Sequence, residues 1–377
     1  MVEDAVALLI DVRDWDNLAK LILDRATDMT AQGRNKTLAE WLLSLPREMM
    51  ENTPWLLYWF GACRLPFNPT ESRRCFDAAF QQFHAQDDQT GMWLSWSFVV
   101  DTIFYAWEDI SPLHKYAEIF QDIYRKEIPF PSLSVESRVV SCRFIIMVMS
   151  EMHHPEISAW AERVFTLVQQ SHDAHFRLQI GYYLAVYYLW TGDFTKGQVV
   201  AGFLQKDSQS ESASPLLSLF GRAIVSMYAY LSGSIGHSLR IVSDGLEFAQ
   251  KTGVHIWDNQ LIAHGGLPSL SAGDVGTLSD LIGKMELSLP TTKKIDVSYY
   301  YYLSSGMFFL KGDMPSATRY IELAVKAVTE IGSPFPIAVC NFWWAQILFE
   351  LGKTALLNIA RQIGLQLKSK NLEFQIS

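Results

Sequence analysis

The chain has 377 residues, 49% hydrophobic and 13% aromatic, a composition too apolar for intrinsic disorder. Its 31 basic and 40 acidic residues give a formal net charge of −9, and its longest basic run is Lys293–Lys294. It therefore lacks the clustered cations that binding to a nucleic-acid backbone requires. Cys63, Cys75, Cys142 and Cys340 lie far apart with no CxxC, which implies no compact disulfide framework and a reducing setting. The acidic start Met1-Val-Glu-Asp4 does not read as a secretory leader. The best apolar run, Val139 to Met149, is too short for a membrane span and contains Arg143. A cytoplasmic protein without a membrane anchor is expected.

In chain order, Val2–Val12 and Asp16–Met29 read as one helix pair around Trp15, followed by a short helix over Asn35–Leu45 that Pro46 stops. Pro54 suits the first turn of the next long helix. Turns are expected near Asn68–Pro69, Glu108–Ile110 and His153–Pro155. From there the pattern is regular. Gly192, Gly233, Gly273, Gly312 and Gly352 stand 41, 40, 39 and 40 residues apart. Each follows an apolar, aromatic-rich stretch and precedes an amphipathic one, which marks a helical-repeat solenoid. The spacing predicts Phe176–Trp190 with Phe194–Gln205, Pro215–Leu231 with Ile235–Lys251, and Ile256–Leu270 with Val275–Leu287. Asp296–Leu310 with Met314–Ile331, and Pro336–Leu351 with Thr354–Ser369, complete the series. Glycine ends each first helix because it reaches the left-handed conformation.

Seven residues before each turn glycine stand Ala185, Ser226, Gly266, Ser305 and Ala345, all small; upstream, Gly61 and Thr102 fit the small position, and the pair ending near His154 does not. Small side chains at one point per repeat let neighbouring helices approach closely. The expected architecture is all-α: a right-handed superhelical solenoid of tetratricopeptide-like antiparallel helix pairs, about nine of them, with a repeat of about 40 residues and no strand. Residues 1–53 form atypical N-terminal helices, residues 54–370 the long repeats, and residues 371–377 the start of a truncated next repeat. No polar capping repeat follows, so the expectation is a fragment of a longer protein or an end covered by a partner.

Gly312-Asp-Met-Pro-Ser-Ala317, followed by Ala324, resembles a tetratricopeptide turn and second helix with lengthened arms. The N-terminal stretch carries a more specific likeness. Val2-Glu-Asp-Ala-Val-Ala7, Trp15-Asp-Asn-Leu-Ala19, Gly33-Arg-Asn-Lys-Thr-Leu-Ala-Glu-Trp41-Leu-Leu-Ser-Leu-Pro46 and Pro54-Trp-Leu-Leu57 occur in that order. They resemble the start of the superhelical sensor region in MalT-type regulators, the large LuxR-family ATP-dependent activators of the STAND class. The resemblance implies a region that receives an inducer signal and controls oligomerisation of a transcription activator. The chain lacks that family's nucleotide-binding module and helix-turn-helix, so only the sensor and interaction role carries over.

Other chemistry is weakly marked. Gly352-Lys353-Thr354 lacks the first glycine of a P-loop, whose place Ile347 holds. His172-Asp-Ala-His175 and His153-His154 lack the spacing and glutamate of a zinc helix, and no GxSxG occurs. No cofactor, metal or catalytic residue is expected. If first helices line the concave face, helical geometry nominates Tyr182, Gln260, Ala263, Tyr299, Tyr302, Phe342 and Gln346 as groove residues. Of Tyr299-Tyr-Tyr-Tyr302, at least one ring must reach the groove or solvent. Arg222, set in an apolar helix, either binds an anionic ligand group or pairs with an acid such as Asp258. Three functions follow. The first is a non-enzymatic sensor domain of a bacterial transcriptional regulator, which binds a small-molecule inducer or protein partner in its groove, with homo-oligomerisation as output. The second is a peptide-binding adaptor, and the third an enzyme with a site at a repeat junction.

Overall fold

The computed structural model describes residues 2–210, 213–289 and 292–352. The predicted second helix Thr354–Ser369, the truncated segment 371–377 and Lys353-Thr354 lie outside the described residues. Among the described residues there are α-helices and no strand, and no helix is long and apolar enough to cross a membrane.

The N-terminal helices are α1 (Val2–Asp11), α2 (Trp15–Ala31), α3 (Asn35–Leu43) and α4 (Arg47–Asn52). Trp15 opens α2 rather than sitting in the turn, because Asp14 caps that helix by accepting from Asn17 N. These helices share a separate apolar cluster in which Leu18, Ile22, Leu38 and Leu42 meet Leu56 of α5. The one-turn-and-a-half helix α4 is not evident in the sequence: it lies between Pro46, which serves as its N-cap, and Pro54.

Thereafter the helices are α5 (Pro54–Arg64), α6 (Pro69–Ala85), α7 (Gln89–Ala106), α8 (Leu113–Tyr124), α9 (Leu133–Ser150) and α10 (Ile157–Gln170). They continue as α11 (Ala174–Thr191), α12 (Phe194–Asp207), α13 (Pro215–Leu231), α14 (Ile235–Thr252) and α15 (Asp258–Ser271). The last are α16 (Val275–Glu286), α17 (Lys294–Leu310), α18 (Met314–Ile331) and α19 (Pro334–Glu350). Except for α3 and α4, each helix packs on its chain neighbour, and the odd-numbered helices from α11 to α17 also pack on one another in sequence. The five periodic glycines all have φ between 62° and 81°, a left-handed backbone that costs a side-chain-bearing residue energy. After three of them, Asp193, Asp274 and Asp313 cap the next helix.

The small-residue column sits where helices touch. Ala185, Ser226 and Ser305 are fully buried, and a Cβ on Gly266 would stand 2.5 Å from Leu303 Cδ1. Ser305 Oγ donates to Ala317 O at 2.7 Å, and Ala185 O accepts from Tyr228 OH at 2.7 Å. Arg143, inside the apolar run of α9, is buried and paired with Glu151 at 2.7 Å.

Sequence-distant segments also meet. Ile110 N donates to Ile331 O at 3.1 Å, joining the turn after α7 to the end of α18. Next to it, Lys294 N donates to Glu108 Oε1 at 3.2 Å. Between these arms lies an aromatic core in which Phe104 and Tyr105 of α7 contact Phe220 of α13. Tyr182 stacks on Phe220 with ring centroids 3.4 Å apart. Deeper still, Asp101 is wholly buried and receives Arg138, Tyr183 and Gln179, the last at 3.0 Å.

Candidate functional site

Beside this aromatic core the first helices leave a cavity of about 150 Å³. A void of that size, lined by apolar side chains, admits a ring-sized molecule. Its lining moves steadily along successive helices. It takes Val186 and Trp190 near the end of α11, Gln260 and His264 in α15, Ser298 and Tyr302 in α17, and Phe335 and Cys340 near the start of α19. Within α17 the lining residues Ile295, Ser298, Tyr299 and Tyr302 repeat at helical spacing. Trp107 completes the wall from the far side. It caps α7 in the left-handed conformation (φ 46°, ψ 40°), a strained backbone for a bulky residue.

The cavity is electrically neutral: none of its lining residues is Asp, Glu, Lys or Arg. His264 is buried, and burial pushes its pKa down to about 4. Its Nδ1 lies 2.7 Å from Ala223 O, which can only accept, so Nδ1 carries the proton and Nε2 is the ring's acceptor. Burial pushes the Cys340 thiol up to about 12 and holds the Tyr182, Tyr299 and Tyr302 hydroxyls well above their ordinary range. Gln260 Nε2 donates to Tyr182 OH at 3.3 Å. The arrangement therefore offers hydroxyls, one amide, one imidazole acceptor and aromatic faces to an uncharged guest.

Tyr182, Gln260, Tyr299 and Tyr302 come together in this cavity. Tyr300 and Tyr301 face away, contacting Tyr320 of α18. The other four nominated residues lie elsewhere. Ala263 is fully buried in the apolar cluster with Leu278 and Leu281, because on α15 it is His264, one position on, that turns to the cavity. Phe342 is half exposed, and Gln346 is exposed and bonded to Glu350 at 2.9 Å. Arg222 is not beside Asp258. Its guanidinium lies 5.3 Å from the Phe248 ring centroid and feels Asp244, while Asp258 bonds His255 at 2.9 Å.

Trp107, Trp190, His264 and Phe335 are cavity residues that sequence periodicity does not single out. Trp107 arrives from a pair remote in sequence, and no local pattern encodes that. For His264 the one available mark in the sequence is that it is a polar residue within an apolar stretch. Of the histidine groups, His154 Nδ1 accepts from Glu156 N at 3.2 Å, and the His175 side chain lies outside the described residues. Among the described residues no group of three or more His, Cys, Asp or Glu side chains is placed to hold a metal ion. No protein-family model matches the chain, and no curated protein matches it.

Proposed function

We propose that this chain is the sensor module of a bacterial transcriptional regulator of the MalT-like type, a right-handed tetratricopeptide-like superhelix that binds an uncharged aromatic or apolar small molecule. The observation that carries the reading is the neutral, aromatic-walled cavity assembled from α11, α13, α15, α17 and α19, with Val328 of α18. A guest there touches α11, α13, α15, α17 and α19 at once, together with Trp107 from the opposite arm. It therefore favours one relative placement of those helices, and differential affinity of that kind is what couples a ligand to a change of state. The output in the intact regulator is a change of oligomeric state. The order of the N-terminal motifs supports the family assignment; the cavity supports the ligand class.

The test is thermal melting of the chain with indole and 2-naphthol as neutral probes, and benzoate and benzylammonium as charged controls. Neutral probes should raise the melting temperature, and Val339→Trp, which fills the cavity, should remove the effect. Size-exclusion chromatography then reads whether the stabilising probe changes the oligomeric state. If no neutral probe stabilises the protein, the reading fails, and an open peptide-binding face takes its place.

A further inference from the structure

A second chamber, about 460 Å³, opens where the N-terminal helices meet the middle of the chain. Residues of α2, α3, α5, α7, α11 and the start of α13 line it. The turn between α2 and α3 closes on α13 there: a Cβ on Gly33 would stand 3.0 Å from Pro215 Cδ. This chamber and the aromatic cavity share no described lining residue.

Three polar side chains of its wall are more than nine-tenths buried: Asn35 is 8% exposed, Tyr58 5% and Tyr105 1%. The Asn35 amide and the two hydroxyls make no side-chain hydrogen bond among the described residues, yet none of these atoms is sealed. The Tyr188 hydroxyl, by contrast, is buried without a partner and without accessible surface. The surface that the three side chains keep therefore opens on the chamber they line. Gln179 stands in the same wall; its Nε2 donates to Asp101 Oδ2 at 3.0 Å, which leaves its carbonyl oxygen as an acceptor. Burial holds the Tyr58 and Tyr105 hydroxyls well above their ordinary range, so both keep their protons. Asp173, the one charged residue among the described lining, accepts from Phe176 N at 3.4 Å at the start of α11.

Polar groups withdrawn from bulk water are ordinarily paired, and here the pairing must come from what fills the chamber. The carboxamide of Asn35 presents a donor and an acceptor side by side. Their complement is an N–H and a C=O held cis on one edge, as in a cyclic amide. An open-chain secondary amide is trans and points the two groups apart. Phenol hydroxyls both donate and accept, so they serve either kind of group on the rest of such a ring. We infer that this chamber binds an uncharged cyclic amide, of the kind a pyrimidine base presents, with its N–H and C=O edge on Asn35 and its remaining polar groups toward Tyr58 and Tyr105. The site does not rest on the reading of the aromatic cavity.

The experiment is isothermal titration of the intact chain with uracil, and with 1,3-dimethyluracil, which keeps the ring and both carbonyls but has no N–H. Uracil should bind saturably, and the dimethyl compound about tenfold more weakly or not at all. Asn35→Leu, which loses donor and acceptor together, should weaken uracil binding by about tenfold or more. Tyr105→Phe should weaken it by about two- to tenfold, the range for one net hydrogen bond. That change removes a hydroxyl with no hydrogen bond among the described residues, so the melting temperature should hold, and it remains informative if Asn35→Leu fails to fold. Val339→Trp, which fills the aromatic cavity, should leave uracil affinity unchanged. Absence of uracil binding at millimolar concentration, equal binding of the dimethyl compound, unaltered affinity in Tyr105→Phe, or loss of uracil binding in folded Val339→Trp would overturn the inference.

Discussion

Trp190 and Phe335 stack face to face, ring centroids 4.8 Å apart and planes within 8° of parallel, joining the end of α11 to the start of α19. Both rings also line the aromatic cavity, so this contact is at once a wall of the site and a clasp between helices four repeats apart. Stacked pairs contribute about 0.5–1.5 kcal/mol beyond their area burial. Trp190→Ala and Phe335→Ala should each lower stability, and the double variant should fall short of additivity by about that amount. Urea denaturation of the four proteins measures the coupling; strict additivity would mean that the stack contributes nothing.

The small-residue column makes a paired prediction. A Cβ on Gly266 would meet Leu303 Cδ1 at 2.5 Å, and Leu303 is fully buried, so its side chain would have to shift among packed neighbours. Gly266→Ala should therefore destabilise by about 1–3 kcal/mol, the range for overpacking. Gly283, exposed in α16 with nothing within 4 Å of where a Cβ would stand, should behave oppositely. Gly283→Ala should be neutral or stabilise by up to about 1 kcal/mol through helix propensity. Denaturation midpoints of the two variants should move in opposite directions.

Asp101 and Arg138 form a buried ion pair within the aromatic core. Asp101→Asn leaves the guanidinium without its counter-charge and should cost about 3–5 kcal/mol. Replacing both residues with Leu and Met should cost less than the single change, since no buried charge is then left unpaired. Chemical denaturation decides; a double variant less stable than Asp101→Asn would refute the electrostatic account.

His264 sets a pH dependence. Its ordinary value of 6.5 falls to about 4 in the folded chain. Above pH 6.5 neither state holds the proton, and the stability of the neutral, buried ring is fully present. As pH falls from 6.5 to 4 only the unfolded chain takes up the proton, so stability declines, by on the order of 3 kcal/mol in total. The difference in urea stability between the wild type and His264→Gln, followed from pH 7.5 to 4, should narrow or reverse across that window. A constant difference would mean that His264 titrates normally.

The repeat was legible in the glycines, whose left-handed φ values only glycine adopts without strain, and in small residues such as Gly266, where a Cβ would collide with Leu303. Both are local requirements, and local requirements leave marks in sequence. Tyr182 and Tyr302 were found by one offset from the small residue, but the same offset on α15 gives the buried Ala263 and on α19 the half-exposed Phe342. The offset drifts because the cavity crosses the helices obliquely, meeting α11 near its end and α19 near its start.

By itself the sequence determined helix, turn and period, because hydrophobic spacing and backbone conformation are decided within a few residues. Only the tertiary structure decided that Trp107 would line one cavity with Tyr302, that Ile110 would bond to Ile331, and that Glu108 and Asp296 would line another. Those meetings join helices far apart in sequence, and no pattern within a single helix pair encodes them.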